Sequence, residues 1–395
     1  MSSQPSFRRT GRRPLEPYAA DVEASRGRLI DEPESDNRSA FQRDRDRIIH
    51  SNAFRRLKHK TQVFVFHEGD YYRTRLTHSI EVAQIARTIT RSLGGDEDLA
   101  EAVALAHDLG HTPFGHAGED ALSDALASIG GFDHNVQTLR ILTRLERRYA
   151  AFDGLNLTWE TLEGVVKHNG PIPEPAEALA DYDREHPLWL DSYAGLEAQI
   201  ASLADDIAYN AHDIDDGLRA GLFSLEDVAE APLVANILAE IETDWPDLER
   251  QRRIYELVRM LIGALVRDLT GETQSRLDAL GPKSADDIRA AGRPMAAFSA
   301  EMTPQLDALR RFLHQRMYRH TELNRMTSKA RRIVKDLFEL LSKEPQSLPA
   351  DWRVAAEGKD GDRVKRIVGD YIAGMTDRYA MLEHKRLFDI YSRGL

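Results

Sequence analysis

Histidine is concentrated in one stretch of the chain: eight of the 14 histidines lie between His50 and His134. Imidazole is the commonest metal ligand in proteins and carries a proton near neutral pH. A single histidine is more often structural than chemical, but histidines crowded among acids point to a metal or proton-transfer site. His107-Asp108 follows the alanine-rich run Leu99–Ala106. At a helix end, two adjacent side chains can both turn toward one cation. His78, in Arg75-Leu76-Thr77-His78-Ser79, opens a second helix-periodic segment, and Asp205-Asp206-Ile207-Ala208-Tyr209 lies on a third. Three helices can thus bring two imidazoles and two carboxylates to one divalent ion. That donor set suits Mn2+, Fe2+, Co2+, Ni2+ or Zn2+, whereas Mg2+ favours an all-oxygen shell. A second group follows. Pro113 cannot continue a helix, so a new one is expected after Phe114-Gly115, with His116 and Glu119 three residues apart on one face. A carboxylate beside an imidazole favours the imidazolium and fixes the ring.

The elements that position these residues read as helices. Apolar residues recur at spacings of three and four through Ile80-Val82-Ile85-Ile89, Leu99-Val103-Ala106, Leu196-Ile200-Leu203-Ile207 and Ile254-Leu257-Leu261-Leu265. Residues 326–342 and 365–392 follow the same pattern. Val63-Phe64-Val65-Phe66 is the one short run with strand character. Loops are marked by Gly94-Gly95, Gly130-Gly131, Gly170-Pro171 and Gly281-Pro282. The expected class is all-α, a helical bundle around a central site with additional C-terminal helices. Residues 1–38 read as an extended basic arm, 39–220 as the core carrying the motifs of 74–213, and 221–395 as a helical region that completes the pocket and supplies oligomer contacts. The stripe Ile254-Leu257-Leu261-Leu265 reads first as ordinary core packing, with an oligomer contact face as the alternative.

Charge and composition narrow the partners. The net charge is −12, yet residues 1–60 carry 14 Lys and Arg against 9 Asp and Glu, leaving −17 for the rest. An acidic body argues against general coating of nucleic acid; the basic arm is either a local phosphate contact or a segment tied down by ion pairs. Cysteine is absent, which excludes disulfides and thiolate metal sites. No apolar run approaches the roughly 20 residues needed to span a bilayer, and no apolar stretch follows the N-terminal arginines, so a cytoplasmic protein is expected.

The flanking motifs carry a resemblance. Asp44-Arg45-Asp46-Arg47-Ile48, Ala53-Phe54-Arg55-Arg56-Leu57, Lys60-Thr61-Gln62-Val63, Thr74-Arg75-Leu76-Thr77-His78-Ser79 and His107-Asp108-Leu109-Gly110-His111-Thr112-Pro113-Phe114-Gly115-His116 occur in that order. Phe132-Asp133-His134-Asn135, Lys167-His168-Asn169-Gly170-Pro171 and Asp370-Tyr371-Ile372-Ala373-Gly374-Met375-Thr376-Asp377 follow. The series resembles the bacterial deoxyguanosinetriphosphate triphosphohydrolase-like proteins of the shorter type, within the HD superfamily. The resemblance places the metal ligands on His78, His107, Asp108 and Asp205. Asp205 is taken over Asp206 because the family spaces its ligand Asp, a Tyr and a second Asp four residues apart, here Asp205, Tyr209 and Asp213. Steps of four advance only about 40° around a helix, so the three share one stripe.

The resemblance further implies proton transfer by His116 with Glu119, a lining role for His111, and another site histidine in His134. It implies sugar reading by Gln62, with Val63 against the 2′ carbon, Tyr209 under the deoxyribose and Asp213 on the 3′-hydroxyl. Arg75 and Lys167 are the phosphate candidates, and Tyr371 opens the segment that closes the base pocket. The implied activity is hydrolysis of a dNTP to deoxynucleoside and tripolyphosphate, with Mg2+ or Mn2+ in activity, by a homo-oligomer. The alternatives are another HD nucleotidase or phosphodiesterase, or a non-catalytic oligomer that binds single-stranded DNA or a nucleotide effector.

Overall fold

The computed structural model describes residues 14–33, 35–62 and 73–390. The helices that build the site are α1 (Ala40–His50), α2 (Arg75–Ser92), α3 (Glu97–Ala106), α4 (His116–Ala125), α5 (His134–Arg140), α6 (Trp159–Val166) and α7 (Leu196–Arg219). The C-terminal region adds α8 (Arg250–Leu280), α9 (Met302–Leu313), α10 (Thr321–Lys343), α11 (Gly361–Ala373) and α12 (Asp377–Phe388). Among the described residues there is no β-strand, only isolated bridges such as Thr61 with Thr74. The all-α expectation therefore holds, while the strand-like run at Val63 lies outside the described residues.

Side-chain caps fix where the central helices begin. Thr74 accepts from the Thr77 N–H to start α2. Asp96 accepts from Asp98 and Leu99 to start α3. Each satisfies a backbone donor that the helix cannot pair itself. The small residues of α3 let neighbours close on it from every side: α1, α2, α6 and α7 all pack there, and Leu99, Ala100, Val103, Ala104 and Ala106 are buried. His107 at its C-terminal end is thereby held deep in the protein.

Two apolar cores flank the site. The larger one is built by α1–α3 and α5–α9; the smaller joins α4 to α10, α11 and α12. Segment 107–116 ties them together, with Leu109 buried in the first and Phe114 in the second. The stripe Ile254-Leu257-Leu261-Leu265 has no exposure, because α8 turns it onto α7 and the helix Pro232–Asp244. It is core, the first of its two readings, and not an oligomer contact face: amphipathic periodicity fixes which face is covered, not what covers it. Residues 14–33 are tied to the body rather than loose. Tyr18 donates to the Leu93 carbonyl at 2.7 Å, Arg28 pairs with Asp44 at 2.5 Å and Arg47 with Glu32 at 2.8 Å. No helix of the described residues is long and apolar enough to cross a membrane.

The loops that carry the site are fastened by two buried polar residues. Lys60 Nζ donates to the carbonyls of His111 at 2.5 Å and Ala373 at 2.8 Å. Asp377 Oδ2 accepts from the Thr61 N–H at 2.9 Å and from the Thr61 hydroxyl, and its Oδ1 accepts from the Phe114 N–H at 2.8 Å. Phe114 needs such an anchor because its φ of 66° is a left-handed conformation that a bulky residue rarely adopts. Asp377→Ala strands three buried donors, at a cost of about 1–3 kcal/mol each. Calorimetry should show a clear drop in Tm for Asp377→Ala and a smaller one for Asp377→Asn, which keeps one acceptor. An unchanged Tm in the alanine variant would show that the anchor is dispensable.

Candidate active site

His78 from the first turn of α2, His107 from the end of α3 and Asp205 from the middle of α7 converge. Their donor atoms all lie within 4.8 Å of one another. His78 Nε2 is 2.8 Å from Asp205 Oδ1, and His107 Nε2 is 3.6 Å from the same oxygen. His107 Nδ1 meets the Ala104 carbonyl at 2.6 Å. Only an N–H can satisfy that contact, so the Nε2 lone pair is left bare. That atom is buried and has no hydrogen-bond partner among the described residues. A buried, unpaired nitrogen facing a carboxylate and a second imidazole fits a divalent cation.

Asp108 stands beside this trio. Its Oδ1 is 3.5 Å from His107 Nε2 and 3.1 Å from His111 Nε2, while Oδ2 accepts from Arg75 at 2.9 Å. Burial alone would raise the pKa of Asp108, but Arg75, His107 and His111 hold it well below the usual carboxylate range. Asp205 is likewise lowered against its burial, by His107, His168 and His78. Both carboxylates are therefore anionic and ready for a cation.

Glu119 organises the second group. Gly115, with φ 57°, turns the chain into α4. Glu119 Oε2 then meets His116 Nδ1 at 3.2 Å, and Oε1 meets His134 Nδ1 at 2.7 Å as well as the His134 backbone N–H at 2.9 Å. His111 stacks on His134 with ring centroids 4.0 Å apart. Burial of Glu119 is outweighed by its bonds to His116 and His134, which hold it far below the ordinary range. His134 is raised because the same carboxylate outweighs desolvation. His111 is pushed well below its usual value by burial and by Arg75. The expected His116–Glu119 pair is thus a triad with His134. Its outer member is exposed: the His116 side chain is 67% accessible. The two groups meet where His111 touches Asp108.

The substrate candidates are placed less uniformly. Gln62 Oε1 is buried with no partner among the described residues, an acceptor without a donor; Val63 lies outside them. Arg75 is buried and anchors Asp108 rather than standing free for a phosphate. Lys167 is also committed: its ammonium donates to Glu163 at 3.1 Å and Ser192 at 3.0 Å, inside a buried network with Arg289. Neither cation is offered to a phosphate in this conformation, because a buried charge must find a counter-charge.

Tyr209 and Asp213 share the Asp205 stripe but meet a residue that the sequence did not single out. The Tyr318 hydroxyl donates to Asp213 Oδ2 at 2.5 Å and contacts the Tyr209 hydroxyl, with the two rings parallel. Burial pushes Asp213 up to about 8 and leaves its Oδ1 unpaired. Asp206 instead pairs with Arg310 at 3.1 Å, outside the stripe as expected. Tyr371 bonds Tyr379 at 3.2 Å and Glu383 at 3.4 Å. It lines a cavity of about 550 Å³ whose walls include Arg56 and Trp352 but none of the histidines or Asp205. His168, to which the sequence motifs assign no role, has its Nε2 3.4 Å from Asp205 Oδ2 and its ring stacked on His107.

This helical frame with a His, His-Asp and Asp centre defines an HD-domain protein. Residues 75–210 match the HD domain, and residues 296–386 match the phosphohydrolase-associated domain. A relative in Parvibaculum lavamentivorans is 60% identical over 382 residues, spanning 95% of this chain and 96% of its own. Relatives in Mesorhizobium japonicum and a Caulobacter species are 57% and 54% identical, spanning 96% and 99% of both chains. All three are named deoxyguanosinetriphosphate triphosphohydrolase-like proteins. The chain belongs to that family.

The Glu119 triad makes a pH prediction. A His134 pKa raised by Glu119 means the pair adds stability that is complete below about 6.5 and is lost as pH rises through the folded value. Proton NMR of the His134 ring should give a midpoint above 6.5. In Glu119→Gln, burial should dominate and bring the midpoint below that value. A midpoint that does not move would remove Glu119 as the cause.

Proposed function

We propose that the protein hydrolyses deoxynucleoside triphosphates to deoxynucleoside and tripolyphosphate, using one divalent cation held by His78, His107, Asp108 and Asp205. The observation that carries this reading is the meeting of a cation-ready trio and a proton-transfer triad through Asp108 and His111, 3.1 Å apart. When bound, the cation supplies positive charge beside the α-phosphorus and acidifies water. Mn2+ and Mg2+ are the ions assigned to turnover.

The chain's own groups supply the rest. Glu119 accepts a hydrogen bond at His116 Nδ1, which directs Nε2 outward from an exposed ring. From there His116 protonates the departing 5′-oxygen, while Glu119 balances the charge on the ring. Gln62 Oε1 accepts from a sugar hydroxyl, replacing the donor it lacks. Tyr209 packs under the deoxyribose, and Asp213, joined to Tyr318, takes the 3′-hydroxyl. The family resemblance assigns Val63, outside the described residues, to the space beside the 2′ carbon. The reading also assigns a homo-oligomer working on the cytoplasmic nucleotide pool.

Phosphorus NMR should detect tripolyphosphate as the first product of a dNTP in the presence of Mn2+. His107→Ala should lose both bound metal and turnover. His116→Ala should keep its metal and fall by about 10²–10⁴-fold in kcat, the usual contribution of a positioned acid or base. Inorganic phosphate as the first product would replace this reading with a nucleotidase, and no product from any dNTP would leave a binding protein.

Sugar discrimination tests the pocket separately. Burying a 2′-hydroxyl without a partner costs on the order of 1–3 kcal/mol, and steric strain adds to it. The kcat/KM for dGTP should therefore exceed that for GTP by roughly ten- to a hundredfold. Val63→Ala should narrow the gap, and Asp213→Ala should weaken both nucleotides. Equal values in the unmutated protein, for guanine and for a second base, would exclude the sugar gate.

A further inference from the structure

The ring of His107 is oriented by a carbonyl of its own helix, whereas His78 has no such contact. Its Nδ1 faces Nδ1 of His212 at 3.2 Å, with the two rings edge to face. His212 sits on α7 two turns beyond Asp205 and is 2% exposed. On its far side, His212 Nε2 contacts Glu81 Oε2. Glu81 lies three residues after His78 on α2 and has a side chain 43% exposed. Arg73 holds that carboxylate, with Nε 3.5 Å from Glu81 Oε2, and its other end reaches Asp215 at 2.9 Å and Asp216 at 3.2 Å on α7.

Two neutral imidazoles that face each other through Nδ1 share one proton: one nitrogen donates and the other accepts. The carboxylate decides which. Glu81 can only accept, so the His212 proton belongs on Nε2 and His212 Nδ1 carries a lone pair. The proton in the shared contact then belongs to His78 Nδ1. An imidazole protonated on Nδ1 has its lone pair on Nε2, which a cation seated beside it and Asp205 Oδ1, 2.8 Å away, would take; without a cation that carboxylate can only accept and favours an N–H on Nε2. The opposite arrangement would point an N–H into the cation site.

We propose that His212 and Glu81 are positioning residues that set the tautomer and ring orientation of His78, so that its Nε2 is presented to the cation. The inference rests on the metal-site reading above and adds two residues to it. Partners behind a ligating histidine typically contribute about 10–100-fold in metal affinity. Here the partner is a relay of one buried imidazole and one surface carboxylate, and it links α2 to α7 at the point where both deliver a ligand.

The test uses the full chain, with Mn2+ for affinity and diamagnetic Zn2+ for the spectra. In Zn2+-loaded protein labelled with nitrogen-15 in histidine, long-range proton–nitrogen spectra should show His212 protonated on Nε2, with its Nδ1 accepting from His78. Chelator competition should show His212→Leu and Glu81→Gln weakened in Mn2+ affinity by roughly 10–100-fold. His212→Gln should recover most of the loss, because an amide can accept from His78 and donate to Glu81. Glu81→Gln changes a half-exposed side chain, so folding does not obscure its result. A His212 ring protonated on Nδ1 in the Zn2+-loaded protein, unchanged Mn2+ affinity in Glu81→Gln and His212→Leu, or a Gln variant as weak as the Leu variant would each overturn the relay. None of these measurements involves a nucleotide. Protein that shows these affinities yet releases no tripolyphosphate would refute the proposed activity and uphold the relay.

Discussion

Asp108 holds a negative charge inside the protein between Arg75 and His111, and the layout of the site follows from where its two oxygens point. A buried carboxylate without counter-charge is among the costliest groups a fold can carry. Oδ2 is met by Arg75 at 2.9 Å, and Oδ1 faces His111 at 3.1 Å and His107 at 3.5 Å. His111 stacks on His134, which bonds Glu119, which bonds His116. The His78–His107–Asp205 trio and the Glu119 triad are consequently one electrostatic chain. Removing Arg75 would disturb both ends together, which makes Arg75 a structural part of the centre whatever else it contacts.

That chain is held in register by residues far away in sequence. Segment 107–116 bridges two cores, and neither core alone contains its anchors. Lys60 reaches from the first region to the His111 carbonyl and to Ala373 in α11, and Asp377 at the start of α12 reaches back to Thr61 and Phe114. Such buried polar contacts are fully satisfied in only one arrangement, so they specify register as well as adding stability. The 296–386 segment is thus a second wall of the same centre. Tyr318 makes the same point from another element, by joining Asp213 and Tyr209.

Local regularities were readable in the sequence and distant pairings were not. The helices that deliver His78, His107 and Asp205 announce themselves through apolar spacing, and steps of four put Asp205, Tyr209 and Asp213 on one stripe. His116 and Glu119 are three residues apart and meet as that spacing requires. His134 joins them from 15 residues beyond Glu119, a contact that no helical period encodes. Tyr318 and Asp377 lie more than 100 residues from their partners, and their residue types alone say nothing of where they land. Two further signals are local. Glu163 precedes Lys167 by one helical step of four, which favours an ion pair over a free cation. Glu81 follows His78 by three, which puts a carboxylate beside the ligand helix.

Exposure separates the groups proposed to react from the groups that orient them. His116 is largely accessible and Asp205 is 27% accessible, whereas His78, His107, Asp108 and His111 are each at 5% or below. A group that touches a polyanionic substrate must present one face to solvent, yet it must not reorganise when charge develops. The fold answers both demands in the same way on each side of the site. A half-buried carboxylate grips Nδ1 of His116, and a buried carbonyl grips Nδ1 of His107. In each ring Nε2 is left as the only nitrogen for chemistry. Preorganisation of this kind lets an electrostatic site act without first rearranging. It also explains why so many histidines were needed: most of them hold the position of a neighbour.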